Sequence, residues 1–268
     1  MTEGASGVAH CAIEASGEAV WWFADTGGDE LGQWMRQPFG GGPDTPAIVG
    51  ADAYWQAGLA IGLRGHALVG RSTEEGTTVS LVGPDGRARV LYGHEEPAYA
   101  VDLSRDLTLA VIAHSERGDL FDPGVRVVSV ADGSPVADLE GEAVGFCPVP
   151  GDNRLLLLEG RGDGWEPALY DVASGVWERH TLGLAGETSV EWAQDGASLL
   201  VVQDHRARSR MYRFVLASST LEELEVAPGT VEHARTRPGG GVWMLWSDSA
   251  HPPVFTALGE EEPGFPAG

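Results

Sequence analysis

The chain has 268 residues, 43% of them hydrophobic, and a formal net charge of −23 from 40 Asp and Glu against 17 Arg, with no lysine. That length and apolar content support a full core, as one large domain or two small ones. The charge argues against nucleic acid or an anionic membrane as partner, since both need a cationic face, and the missing lysine excludes Schiff-base chemistry and a P-loop.

No secretory apolar core opens the sequence, and no run approaches the ~18 apolar residues that span a bilayer. The expectation is a reduced, cytoplasmic protein whose two cysteines, Cys11 and Cys147, are buried small hydrophobes. His10 precedes Cys11, but neighbours on a strand face opposite ways, so they do not form a dyad.

Helical periodicity is almost absent. Short runs rich in Val, Leu, Trp and Tyr are cut instead by Gly, Pro and Asp, an all-β pattern. In chain order they come as pairs of predicted strands: "ASGEAVWWFAD" with "QWMRQPF", "GLRGHALVGRS" with "TTVSLVG", and "LSRDLTLAVIAHSE" with "GVRVVSV". "VPGDNRLLLLEG" with "EPALYDV", "AQDGASLLVVQD" with "RMYRFVL", and "RPGGGVWMLWSD" with "PPVFTAL" complete the series. Anchored on Val20, Leu68, Leu109, Leu155, Leu199 and Val242, the repeats are 48, 41, 46, 44 and 43 residues apart. A period in the forties built of short strands is the length of a four-stranded propeller blade.

Two more strands complete each unit. An inner one precedes each pair ("GVAHCAI", "YWQAGLAI", "YAVDLS", "AVGFCPV", "SVEWAQ", "VEHART"), and an outer one follows several ("ARVLYG", "VWERHTL", "TLEELEV"). "PDG" (84–86), "ADG" (131–133), "ASG" (173–175) and "QDG" (194–196) are turns between strands. The expected fold is an all-β propeller of about six four-stranded blades, or seven with the last incomplete, as a single domain over 1–258. Residues 259–268 read as a flexible, acidic, Pro-containing tail that makes a poor outer strand. Either the ring closes without a full last blade, or more protein once followed.

"VWWFADTGGDELGQWMRQPFGGGPDTPA", "HSERGD", "FCPVPGDNRLLLL", "DHRARSRMYR" and "WSDSAHPPV" together resemble the N-terminal β-propeller of the prolyl oligopeptidase and acylaminoacyl peptidase family of serine peptidases, from about Val8 to Val254. The resemblance implies a ring with a central channel that filters or positions substrate. It implies no peptidase chemistry here. The family's Ser-Asp-His triad lies in an α/β-hydrolase domain with a G-x-S-x-G elbow, and this sequence contains no G-x-S-x-G.

Loops between second and third strands should gather at one mouth of such a channel. Theirs are acidic: Asp25, Asp29 and Glu30; Glu74 and Glu75; Glu116, Asp119 and Asp122; Glu159 and Asp163; Asp204; Asp248. His114, His205, Arg206, Arg208 and His251 are interspersed. This reads as solvated loops, or as a rim for a cationic ligand and a source of acid/base groups. His114 and Glu116 lie two apart on an extended chain, so the carboxylate could orient the imidazole; Asp204 and His205 are the other candidates for acid/base work. Asp25, Asp29 and Arg208 are candidate ligand contacts. Tyr54, Trp55, Tyr99 and Trp192, on inner strands, either line an apolar ligand pocket or pack blade on blade. Trp21, Trp22, Trp243 and Trp246, on second strands, read as core. No cofactor is expected, and no metal, because nothing has D-x-D-x-D spacing and "DTGGDE" is the nearest approach.

Two functions follow. The first is a stand-alone propeller that binds a small molecule or peptide in its channel, with recruitment for non-hydrolytic chemistry such as cyclisation or isomerisation. The second is a non-catalytic scaffold or substrate gate for a partner hydrolase, in trans or as part of a longer peptidase.

Overall fold

The computed structural model describes residues 10–25, 27–118, 123–161, 164–237 and 239–258. Two compact units divide the chain, Met1–Ala143 and Val144–Gly268. Among the described residues the one helical turn is a 3-10 turn at Leu216–Ser218, and no helix is long and apolar enough to cross a membrane.

The first unit holds three repeats. The first comprises β1 (Cys11–Ile13), β2 (Ala19–Asp25), β3 (Leu31–Pro38) and the short β4 (Thr45–Pro46); the second comprises β5 (Tyr54–Ile61), β6 (Ala67–Thr73), β7 (Gly76–Val82) and β8 (Ala88–His94). These two share one eight-stranded sheet, because β3 also pairs with β5, Leu31 opposite Trp55 and Gly32 opposite Tyr54. The third repeat is a sheet of its own: β9 (Ala98–Leu103), β10 (Leu109–His114), β11 (Gly124–Ser129) and β12 (Pro135–Leu139).

The second unit carries two four-stranded antiparallel sheets, the first of them beginning two residues before the boundary. One is β13 (Glu142–Phe146), β14 (Arg154–Arg161), β15 (Gly164–Asp171) and β16 (Val176–Arg179); the other is β17 (Glu187–Trp192), β18 (Ser198–Asp204), β19 (Ser209–Val215) and β20 (Thr220–Leu224). A three-stranded sheet follows: β21 (Thr230–Thr236), β22 (Val242–Ser247) and β23 (Val254–Leu258). The expected tail, 259–268, lies outside the described residues. All six sequence anchors fall on second strands, and the all-β expectation holds.

The turns follow from residue chemistry. Gly86, Gly133, Gly175 and Gly196, the last residues of the four predicted turns, have φ of 76°, 75°, 71° and 63°. That left-handed region costs glycine nothing and other residues a steric clash.

The near-continuous apolar runs on second strands are buried on both faces. In β6, Ala67 and Val69 join Trp21, Phe23, Trp34 and Tyr54 in one cluster. Leu68, between them, joins Val79, Ile112 and Val128 in another. β18 divides likewise, with Leu199 and Val201 packed beside Leu156 and Phe214, and Leu200 and Val202 beside Val242 and Met244. Period-two alternation between two packed neighbours removes any need for a polar face. Each Val or Leu among them contributes roughly 1.5–3 kcal/mol. Adjacent Trp21 and Trp22 are both buried, Trp21 in the cluster with Phe23 and Tyr54.

Two expectations are corrected. Cys147 is buried, but Cys11 is exposed: β1 is the edge of its sheet, and Cys11 and Ile13 share its solvent face. Trp243 is 37% exposed, whereas Trp246 is half-buried and packs against the core cluster of Val242 and Met244. Val242 and Met244 point into the core, which leaves Trp243 on the other face, against Phe255 with ring centroids 5.7 Å apart and planes tilted by 58°.

Candidate functional site

His114 ends β10, and Glu116 follows in the next turn. The carboxylate does not orient the imidazole. It accepts hydrogen bonds from the Tyr92 hydroxyl at 2.8 Å and from Arg126 Nη1 and Nη2 at 2.5 and 3.2 Å. Arg126 Nε donates to Asp138 at 2.6 Å. Burial pushes the Glu116 carboxyl up, but the Arg126 and Tyr92 hydrogen bonds outweigh it and hold the group below the usual range. His114 is 4% exposed, its Nδ1 has no hydrogen-bond partner, and its Nε2 lies 3.9 Å from Asp138. Burial, helped by the Arg126 charge, lowers its pKa and keeps the ring neutral. The ring sits where residue 124 has no side chain, since a Cβ there would lie 3.0 Å from its Cε1.

The other candidate acids hold their own loops. Asp25 accepts from the amides of Gly27, Gly28 and Glu30, and Asp29 from that of Leu31. The Gly27 bond leads in holding the Asp25 carboxyl below its ordinary value. Asp204 accepts a hydrogen bond from the Ser209 hydroxyl, whose oxygen in turn accepts from the Val231 amide at 2.8 Å. His205 and Arg208 exchange backbone hydrogen bonds across a turn in which Arg206 and Ala207 are left-handed, at φ 53° and 58°. Asp248 closes its loop on the amides of Ala250 and His251 and on the His251 ring. Asp119, Asp122 and Asp163 lie outside the described residues.

The four inner-strand aromatics differ from one another. Tyr54 is 2% exposed within a core cluster, and its hydroxyl accepts from the Trp34 amide at 3.0 Å. Trp192 is buried in a different cluster, donates to the Gly145 carbonyl at 3.0 Å and lies under the Arg154 guanidinium. Trp55 and Tyr99 are 39% and 53% exposed. Tyr54 and Trp192 are therefore packing residues, while Trp55 and Tyr99 remain available at the surface. Among the described residues no three His, Cys, Asp or Glu are placed to hold a metal ion.

The feature that sequence reading missed is a cavity of about 510 Å³ in the second unit, between the sheets of β17–β20 and β21–β23. Its apolar wall includes Leu199, Leu200, Leu224, Val242 and Leu258. Asp195, Arg213, Glu225 and Arg237 bring charge to it. Arg213 donates through Nε to Ser198 at 3.0 Å and through Nη2 to Asp195 at 2.7 Å. Arg237 lies over the Trp243 ring at 5.0 Å. The "QDG" turn was the sole signal here, and it was legible only as a turn.

No family model and no curated protein matches the sequence. Solved structures do match the fold. The β-propeller domain of the trilobed protease from Pyrococcus furiosus superposes with a TM-score of 0.72 at 8% identity, over 100% of this chain and 85% of that one. The chain folds as a β-propeller. It shares this fold with a prolyl endopeptidase (TM-score 0.66, 18% identity, 94% of this chain) and with the oligogalacturonate lyase of Vibrio parahaemolyticus (0.65, 13%, 92% of this chain and 73% of that one). The propeller spans 39% of the prolyl endopeptidase's length. Identities this low carry the architecture and leave the chemistry of each propeller to its own side chains.

Proposed function

We propose that this propeller is a recognition module that binds a peptide or other small molecule without hydrolysing it. The observation that carries the reading is the fate of the candidate acid/base groups. Glu116, Asp25, Asp29 and Asp204 each serve as hydrogen-bond acceptors for nearby structure, and His114 is enclosed. A protease-type propeller fold and the absence of a G-x-S-x-G elbow from the sequence support the same reading. A reduced, cytoplasmic setting is part of the proposal, supported by the two free cysteines. The test is a peptide-library binding assay on this chain, run beside a peptidase assay. Saturable binding without turnover is expected. Cleavage blocked by a serine-directed inhibitor overturns the non-hydrolytic reading, and no binding overturns recognition.

A second reading is a substrate gate beside a hydrolase domain. It is favoured by the match that covers 94% of this chain but 39% of the prolyl endopeptidase. It predicts that adding the propeller to a separately expressed hydrolase domain restricts cleavage of long peptides more than of short ones.

A further inference from the structure

We infer that the cavity between the sheets of β17–β20 and β21–β23 binds a short zwitterionic peptide with an apolar side chain. The inference rests on the recognition reading above and gives it a site and a ligand class. Three observations converge on it.

The size fits, because about 510 Å³ falls within the roughly 300–1,000 Å³ of small-ligand pockets. The wall built from Leu199, Leu200, Leu224, Val242 and Leu258 offers an apolar seat, and burying one aliphatic side chain there is favourable. The charges are paired in sign. In a chain of net charge −23 with 17 Arg, two of those Arg line this one cavity.

Arg213 spends Nε and Nη2 on Ser198 and Asp195, which fixes the guanidinium and leaves Nη1 to meet a carboxylate. Glu225, just past the end of β20, is exposed on the same cavity and carries the charge that an ammonium group would meet. A peptide with free termini supplies one group of each sign and an apolar centre. A purely anionic ligand would face Glu225 and Asp195, and a purely cationic one Arg213 and Arg237.

The experiment is calorimetric titration of the tripeptide Ala-Leu-Ala into this chain, with free, N-acetylated and C-amidated forms. Each blocked end should weaken binding about tenfold or more. Glu225→Gln should abolish the penalty of acetylation, and Arg213→Gln that of amidation. A tripeptide that binds equally well with both ends blocked, or that is indifferent to both substitutions, overturns this site. Binding of longer library peptides without the tripeptide also overturns the site and leaves recognition standing. Failure of the tripeptide and of the whole library overturns both.

Discussion

The Tyr92 hydroxyl donates to Glu116 across 2.8 Å, from β8 of the eight-stranded sheet to the turn after β10 of the next one. Burial and the Glu116 charge raise the Tyr92 pKa, so the phenol keeps the proton it donates. The bond is a clip between two sheets. Tyr92→Phe should cost about 0.5–1.5 kcal/mol, since Glu116 keeps its Arg126 partner. Glu116→Gln should cost more, because it strips Arg126 of a charged acceptor. Urea denaturation of both variants checks the order; equal costs would show that the Arg126 pair adds nothing.

Stability should fall as the solution is acidified below neutrality. Burial lowers the pKa of His114 and of His180 from the ordinary 6.5. Around His114 stand Arg126 and Arg117 against Glu116 and Asp138. Because the folded values are depressed, the unfolded chain binds more protons in this window. The stabilisation is present above 6.5 and is lost as pH falls through the folded values. A second loss follows at lower pH, as Glu116 and Glu14 titrate below their ordinary 4.5. Urea midpoints taken from pH 7.5 to 5 check the first window, and His114→Gln should flatten part of it.

Asp25→Ala should loosen one loop and little else. The carboxylate holds the amides of Gly27, Gly28 and Glu30, all at the surface. Amide exchange at Gly28 should quicken while the melting temperature barely moves. A ligand that slows the same amides in the parent protein would give this loop a binding role.

Two tryptophans on equivalent strands should behave oppositely. Trp21 is 2% exposed and donates to the buried Glu14 at 2.9 Å, so Trp21→Ala should cost about 3–5 kcal/mol. Trp243→Ala should cost far less, because its outer face meets water. Denaturant midpoints decide it.

Much of this architecture can be read along the chain. Six repeats, their hairpin turns and the burial of Trp21 beside Trp22 follow from alternation and Asp-Gly chemistry, which act over a few residues. Partners did not follow. Glu116 lies two residues from His114 yet bonds Tyr92 and Arg126, which come from strands 24 and 10 residues away. Trp243 looked like core because its strand did, but exposure depends on what covers each face of the sheet. The cavity is lined from β18, β19, β20, β21, β22 and β23 together with the turns between them, and no single segment carries its signature. Strand, turn and period are local quantities and are written in the residues; which side chains meet across sheets is a property of packing, and only the folded chain decides it.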